Sequence, residues 1–308
     1  MLYDVTLEIT YDYASPAASG RHALRLMPAS LPGEQKLLAG QIYLDPGPTE
    51  RHDRTDFFGN AVTDVAYRNS HSELAFKLKA RIERTATPEE FDISPPLRAL
   101  GRELATVQSL APKEPVHFLA ASPRLPLDPA FAVYAQEHTH AGMSTLAAVE
   151  AIGRALNTDL SFDAEATTVD TPALQAFERR HGVCQDFSHI MIACLRSIGI
   201  PAGYVSGFLR TLPPEGQERL EGADAMHAWV RAWCGVEIGW IEYDPTNALK
   251  VGQDHIVVAC GRDYGDVAPV KGVLRTAGAQ TTSHKVDVVP HTVEAPKAKA
   301  PRTAPAGT

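Results

Sequence analysis

Of the four cysteines in this chain, Cys184 stands where a thiol can be activated as a nucleophile. It follows Gly182-Val183 and opens a segment whose apolar side chains recur on one helical stripe: Phe187, Ile190, Met191, Cys194, Leu195 and Ile198. A thiol attacks as its thiolate, which the dipole and free backbone N–H groups of a helix N-terminus favour. The same N–H groups can hold a developing oxyanion. The position therefore predicts a nucleophilic role for Cys184.

A cysteine nucleophile needs a base, usually a histidine, and a third group that orients the base. His227 precedes the strand-like segment 228–231, and Asp244 follows the strand-like segment 240–243. Residues 235–239 between them resemble a turn, so that the two segments could pair as a hairpin. His227 and Asp244 would then lie near each other at its open end. The alternative is that Asp244 belongs to an ordinary turn and that His227 is a partly buried strand residue.

The other cysteines indicate no second reactive or metal site. Cys194 lies on the apolar stripe, and Cys234 and Cys260 lie at strand ends, so all three are interpreted as core residues. Their dispersed spacing matches no set of metal ligands and is typical of reduced thiols in a cytoplasmic protein. Phosphate loops, dinucleotide fingerprints and zinc spacings are absent from the sequence, and we expect no cofactor and no metal.

Further polar and aromatic residues could support or line the site. Asp186 and His189 are about one helical turn apart and could interact, in which case we favour a supporting role over chemistry. Asp263 and Tyr264 could line the site or belong to a loop that joins two strands. The tryptophans all fall on the predicted hairpin, where core packing is the favoured role: Trp229, Trp233 and Trp240.

The elements that must position these residues follow from periodicity. Residues 5–11 and 74–83 alternate apolar and polar side chains, which predicts antiparallel strands with one buried face. Gly59-Asn60 predicts a hairpin turn. Asp128-Pro129 and Thr171-Pro172 each predict the start of a helix. Downstream of the Cys184 helix, which Gly199 and Pro201 end, five further strands are predicted: 202–209, 226–234, 240–243, 255–260 and 285–289.

These elements predict an α+β fold with four parts. The predicted division is an N-terminal antiparallel β domain at 1–90, a helical connection at 91–140, a catalytic core at 141–290 and a disordered tail at 291–308. The tail is rich in Pro, Ala, Lys and Thr and has no apolar period.

Composition excludes several classes of partner. The formal net charge of −8 argues against binding to nucleic acid or to a membrane surface, since both normally require a basic face. No apolar run approaches the ~20 residues that span a bilayer. The N-terminus does not resemble a signal peptide, and we expect a cytoplasmic protein. The composition leaves the oligomeric state open.

Three motifs in this chain order resemble those of the transglutaminase-like superfamily. They are Gly182-Val183-Cys184-Gln185-Asp186-Phe187-Ser188-His189, Met226-His227-Ala228-Trp229-Val230 and Trp240-Ile241-Glu242-Tyr243-Asp244-Pro245-Thr246. The family places a cysteine at a helix start and then a histidine and an aspartate on adjacent strands. Segments 56–60 and 261–269 are similar to a preceding β domain and a later signature of bacterial members. The resemblance covers nearly the whole chain except the tail, and implies a papain-like core with Cys184, His227 and Asp244 as a triad.

The resemblance also implies an acyl-transfer enzyme that acts on a peptide or protein substrate without a cofactor. A peptidase or amidase of this family uses water as acceptor, and a transglutaminase uses an amine. We favour hydrolysis, because water is always present and a transferase must exclude it. Two other classes remain as alternatives. A scaffold of the same fold would have no need of an intact triad, and a metal protein would need ligand spacing that the sequence lacks.

Overall fold

The computed structural model describes residues 1–85, 91–211, 222 and 224–291. Six strands come first: β1 (Leu2–Ala17), β2 (Ser19–Leu24), β3 (Gln35–Asp45), β4 (Glu50–Thr55), β5 (Ala61–Tyr67) and β6 (His71–Arg84). Buried and more exposed residues alternate along much of β1 and β6, and all six strands pair antiparallel, as predicted. The turn at Gly59-Asn60 joins β4 to β5, whose register begins at Thr55 and Ala61.

A helical section follows, with a short 3₁₀ helix at Pro115–Phe118. Its α-helices are α1 (Leu97–Leu104), α2 (Pro129–Glu137), α3 (Thr145–Asp159), α4 (Ala173–Arg179) and α5 (Cys184–Ser197), and the short strands β7 (Ser161–Phe162) and β8 (His181–Gly182) pair in parallel. Asp128 caps α2 by accepting a hydrogen bond from the backbone N–H of Ala130, as predicted. The helix after Thr171-Pro172 begins one residue later than predicted, because Pro172 itself occupies the N-cap position.

The remaining elements form one sheet and a return to the N-terminal strands. They are β9 (Ala202–Leu209), β10 (Ala225–Trp233), β11 (Trp240–Asp244), β12 (Leu249–Lys250), β13 (His255–Gly261), α6 (Tyr264–Val267), β14 (Val270–Arg275) and β15 (Gln280–Pro290). The sheet has the order β12-β11-β10-β9-β13 and is antiparallel throughout. The predicted α+β fold, with an antiparallel β domain before a mixed helix and strand core, is confirmed.

The last two strands complete the N-terminal β domain. One N-terminal sheet has the order β15-β1-β6-β3, and the other has the order β14-β2-β5-β4. The two sheets meet through side chains such as His22 and Phe76, whose ring centroids are 5.7 Å apart. The predicted core at 141–290 therefore includes two strands that pair with β1 and β2. The sequence predicted the strand at 285–289 but not β14, and a local sequence pattern does not specify which distant strand a segment pairs with.

Helix α5 is the centre of the core. It packs on β9 and β10 on one side and contacts α2, α3 and α4. Every residue from Gln185 to Arg196 is buried, so the helix has no solvent-exposed face opposite the predicted apolar stripe. Arg196 is accommodated there because its guanidinium donates to the backbone carbonyls of Ala202 at 2.9 Å, Ala120 at 3.1 Å and Arg262 at 2.7 Å. A fully packed helix holds its N-terminus rigidly in place.

The N-terminal domain covers the free edge of the core sheet. β13 is an edge strand, whose outer backbone groups would otherwise lack partners. The side-chain amide of Gln35 donates to the Val257 carbonyl at 2.8 Å and accepts from the Val257 N–H at 2.9 Å. The amide of Asn60 makes the same pair of bonds with Cys260, both at 2.8 Å. The side chains of Gln35 and Asn60 thus make backbone hydrogen bonds of the kind that a sixth strand would make with β13.

The predicted tail at 291–308 lies outside the described residues except for His291, whose backbone N–H donates to the Leu2 carbonyl at 2.8 Å. Among the helices of the described residues, none combines the length and the apolar character needed to cross a membrane. The cytoplasmic location and the four domain boundaries stay predictions.

Candidate active site

Cys184 is the first residue of α5, and it is partly exposed. Asp186, in the same turn, accepts hydrogen bonds at Oδ2 from the backbone N–H of Val183 at 2.8 Å and from the Thr167 hydroxyl at 2.6 Å. The bond to Val183 is the part of a capping box that runs from the third helical residue back to the N-cap. Asp186 therefore determines where the helix begins and supports the turn that carries the thiol.

Gly182 provides the room for this cap. A Cβ atom at position 182 would lie 2.6 Å from Cβ of Asp186 and 2.7 Å from its Oδ2. Both distances are shorter than non-bonded atoms tolerate, so a side chain here would displace Asp186. The glycine two residues before Cys184 is required by close packing against the helix cap.

His227 and Asp244 come from the two paired strands of the predicted hairpin. β10 and β11 pair from Val230 with Tyr243 to Trp233 with Trp240, with Gly235 and Gly239 in the turn at positive φ. The Nε2 atom of His227 lies 2.7 Å from Oδ2 of Asp244. The Cys184 side chain is close enough to the imidazole to be among the groups that raise the pKa of His227. The structure thus brings together the three residues that the sequence predicts.

Asp244 is fully buried, and both of its carboxylate oxygens accept hydrogen bonds from other residues. Oδ1 accepts from the backbone N–H groups of Thr246 and Asn247 at 2.9 and 3.2 Å. Oδ2 accepts from His227, from the Asn247 side chain at 2.7 Å and from Nε2 of His255 at 3.1 Å. Burial opposes ionisation, but the hydrogen bonds from His227, His255 and Asn247 outweigh it and hold the pKa of Asp244 well below its usual range.

The carboxylate and the thiol determine the charge of His227. Burial alone disfavours the imidazolium, but the hydrogen bonds to Asp244 and Cys184 and the negative charges of both partners outweigh it. Together they raise the pKa of His227 to about 10. A protonated imidazole beside a thiol favours the thiolate form with which a cysteine nucleophile reacts. The backbone N–H groups of Cys184 and Gln185, in the first turn of α5, face no intrahelical acceptor and can serve a developing oxyanion.

The remaining predicted site residues have supporting contacts. The sequence suggests that Asp186 and His189 could interact, but the two side chains have different partners. Asp186 accepts a hydrogen bond from the N-cap of α5. Nε2 of His189 accepts one from the backbone N–H of Tyr264 at 3.1 Å. Burial lowers the pKa of His189 to about 3. Asp263 is buried and caps α6 by accepting from Gly265 N–H at 2.8 Å. The Tyr264 ring lies 5.4 Å from the guanidinium carbon of Arg124.

The tryptophans occupy packed positions, as predicted by the favoured core-packing interpretation. Trp229 and Trp233 are buried, and Trp229 donates from Nε1 to Glu242 at 2.8 Å. Trp240 donates from Nε1 to the Lys113 carbonyl at 3.0 Å, and the guanidinium of Arg231 lies over its ring at 4.0 Å.

A possible metal site of two histidines and one carboxylate is formed by His227, Asp244 and His255. One ligand atom from each lies within 4.8 Å of the others. Both Nε2 atoms, however, point at the same carboxylate oxygen. A metal ion held by the three residues would take Nε2 of His227 away from Asp244 and remove the bond that orients the ring. We therefore interpret the group as a hydrogen-bonded cluster.

Comparisons with known proteins match both the N-terminal strands and the core. A model of the Transglutaminase-like superfamily matches residues 132–245, which include Cys184, His227 and Asp244. A model of the Bacterial transglutaminase-like N-terminal region matches residues 3–83. An uncharacterized protein of Mycobacterium tuberculosis is 32% identical over 300 residues, which cover 94% of this chain and 92% of the relative. The chain belongs to the transglutaminase-like superfamily.

Two further comparisons extend over this transglutaminase-like chain. An uncharacterized protein of Mycobacterium leprae is 31% identical over 281 residues, which cover 90% of this chain and 95% of the relative. The crystal structure of a candidate cysteine protease from Cytophaga hutchinsonii superposes with a TM-score of 0.72 at 20% identity, and covers 94% of this chain and 90% of that chain. At this identity the structural similarity shows a shared fold.

The motifs of this transglutaminase-like chain do not single out two residues that contact Asp244. Asn247 follows Asp244 by three positions, and the turn chemistry of an Asp-Pro-Thr-Asn segment could have indicated a local hydrogen bond. His255 begins β13, which is separated from β10 by β9. No local pattern connects His255 with Asp244, so that contact is visible in the tertiary structure alone.

Proposed function

We propose that this chain is a cysteine-dependent hydrolase of peptide or amide bonds. In this proposal Cys184 is the nucleophile, His227 is the acid and base, and Asp244 orients His227. The observation that supports it is the 2.7 Å contact between Nε2 of His227 and a fully buried Asp244, with Cys184 among the groups that raise the pKa of the same imidazole. A nucleophile, a base within hydrogen-bond reach and a group that orients the base are the parts that covalent acyl transfer requires.

The first half-reaction would form a thioester. The Sγ thiolate of Cys184 attacks the carbonyl carbon, and the N–H groups of the first turn of α5 stabilise the oxyanion. His227 then gives its proton to the amide nitrogen, and the C–N bond breaks to release an amine. Because Nε2 of His227 is engaged with Asp244, Nδ1 is the atom that faces the thiol and transfers this proton.

The second half-reaction would restore the thiolate. Neutral His227 removes a proton from water, and the resulting hydroxide oxygen attacks the thioester carbon. The C–S bond breaks, the carboxylic acid leaves and His227 is again an imidazolium beside the Cys184 thiolate. Asp244 stays ionised throughout, since its proton affinity is held low by its hydrogen bonds.

The side chains that the sequence suggests for an amine site are already engaged in other contacts. An amine site should offer a free acidic or aromatic surface to a cationic chain such as that of lysine. Asp263 is buried in its cap, and Trp240 already carries the guanidinium of Arg231. The guanidinium of Arg124 lies over Tyr264 and would repel a second cation. These contacts support water as the acceptor, and a peptide or protein is the proposed substrate class.

The test uses denatured casein and a library of short peptides with wild-type protein, Cys184→Ala and Cys260→Ala. Cys260 is the other partly exposed cysteine and gives the matched control. In wild type and Cys260→Ala, we expect an acyl adduct on Cys184 by intact mass spectrometry, together with free-acid products. Cys184→Ala should give neither the adduct nor the free acid. Millimolar cadaverine tests the acceptor: amine adducts that outnumber free acid would support a transglutaminase instead. No adduct on Cys184 with any probe would contradict the acyl-transfer proposal.

A further inference from the structure

Asp244 accepts hydrogen bonds from two imidazole rings at one oxygen. Nε2 of His227 lies 2.7 Å and Nε2 of His255 lies 3.1 Å from Oδ2. His255 is 4% exposed and begins β13, while His227 lies on β10. The two ring centroids are 6.1 Å apart, so the rings meet at the carboxylate and not at each other. His255 therefore contacts the carboxylate from β13, a strand that contributes no residue to the predicted triad.

The hydrogen bonds define the protonation of His255. An ionised carboxylate can only accept, so Nε2 of His255 carries a proton and donates it. Its Nδ1 atom is buried and has no hydrogen-bond partner among the described residues. A second proton on Nδ1 would place an unpaired charged donor in the interior, which is costly. His255 therefore has the tautomer that is protonated on Nε2 alone.

We propose that His255 is a positioning residue for the catalytic pair, and that it acts through Asp244. By donating to Oδ2 it acts with the bonds from Thr246 and Asn247 to keep the carboxylate from rotating about its Cβ–Cγ bond, and it helps to keep this buried group ionised. Oδ2 then stays where Nε2 of His227 can reach it, which leaves Nδ1 of His227 aimed at Cys184. This inference rests on the proposed function, since it assigns a role within the same site.

A packing role is the main alternative, because His255 also contacts Trp229. The ring centroids of these two residues are 5.1 Å apart with an interplanar angle of 81°. Replacement of His255 by Phe would keep an aromatic ring against Trp229 and lose the donor. Replacement by Gln would lose the ring but can place an amide N–H near the position of Nε2. The two roles therefore predict opposite orders for the two variants.

The experiment measures the second-order rate of Cys184 alkylation by iodoacetamide at pH 7, by peptide mass spectrometry, in wild type, His255→Gln and His255→Phe. Near-UV circular dichroism confirms the native fold of each variant. We expect His255→Gln to stay within about threefold of wild type and His255→Phe to react about tenfold more slowly, on the order of 1.4 kcal/mol in barrier. The reverse order, or equal rates in the two variants, would overturn the proposal in favour of packing or of no role.

A second measurement needs no folded variant. Nitrogen-15 NMR of the wild-type imidazoles, assigned through their correlations to the backbone resonances, should show His255 protonated at Nε2 and unprotonated at Nδ1 at pH 7. A proton on Nδ1 would overturn the inference. The proposed function fails separately: it is contradicted when the wild type forms no acyl adduct, whereas the role of His255 is decided by the alkylation rates and the tautomer.

Discussion

The 2.7 Å contact between Nε2 of His227 and Oδ2 of Asp244 joins a buried base to a carboxylate that has no solvent-exposed surface. Because Asp244 is buried, its charge on His227 is screened less than that of a surface carboxylate would be. The same contact leaves one face of the imidazole for Cys184. The reactivity of the thiol and the pH dependence of folding should therefore both depend on this pair.

Asp244→Asn should reduce both reactivity and catalysis. The variant keeps the shape of the side chain but removes the charge and can favour the wrong tautomer of His227. We expect Cys184 alkylation at pH 7 to slow by about tenfold, and cleavage of a competent substrate to slow by about 10²-fold or more. Asp12→Asn, at an exposed position, is the control and should behave as wild type. Full alkylation and cleavage rates in Asp244→Asn would argue against the assignment of Asp244.

The raised pKa of His227 should make stability depend on alkaline pH. The folded-state pKa is about 10, above the ordinary value of 6.5, so the folded protein binds the proton more tightly than the unfolded chain does. This contribution is fully present below about pH 6.5 and is lost as the pH rises through about 10. Urea unfolding of wild type and His227→Gln at pH 6.5 and 10 should show a wild-type advantage that shrinks. An advantage that is constant across this range would contradict the expectation.

His189 should have the opposite effect at acid pH. Its folded-state pKa of about 3 lies below the ordinary 6.5, so the unfolded chain binds the proton more tightly. Stability is then lost as the pH falls from about 6.5 towards about 3. His189→Gln can still accept from Tyr264 N–H and does not titrate. Its melting temperature should fall less than that of wild type between pH 7 and 5, and parallel curves would show that His189 does not contribute.

The Asp186 cap should stabilise both the fold and the position of the thiol. Asp186→Ala removes the acceptor for Val183 N–H and for the Thr167 hydroxyl, and should cost about 1–2 kcal/mol in the free energy of unfolding. Thr167→Val removes the second bond alone and should cost less than half as much. Urea denaturation measures both, and Cys184 alkylation should slow in Asp186→Ala only. Equal effects would mean that the backbone cap contributes little.

The side chains that cover the edge of β13 should hold the two domains together. Gln35→Leu would leave the buried N–H of Val257 without its partner, at a cost of about 1–3 kcal/mol, while the C=O of Val257 would keep its hydrogen bond from the backbone N–H of Ala29. Asn60→Leu should have a similar effect at Cys260. Gln41→Leu, on the same strand as Gln35 but exposed, should change the free energy of unfolding by less than ~0.5 kcal/mol. Equal unfolding midpoints for Gln35→Leu and Gln41→Leu would show that this contact is not required.

The sequence by itself determined the parts of the molecule that depend on local pattern. The periodic apolar stripe, preceded by Gly182 and ended by Gly199 and Pro201, predicted the helix that begins at Cys184, and the structure has that helix. The two apolar segments around the turn at 235–239 predicted the hairpin of β10 and β11. These signals involve residues within one element or a short turn, where neighbours in sequence are neighbours in space.

Tertiary structure alone decided which distant elements meet. A strand was predicted at 285–289, but its pairing with β1 closes a loop of most of the chain and has no local signal. The same holds for the donation by His255 to Asp244 across the sheet, and for the two amides of Gln35 and Asn60 on β13. Side-chain period specifies which face of a strand is buried, but the partner of that face is chosen by packing and hydrogen bonding over the whole fold.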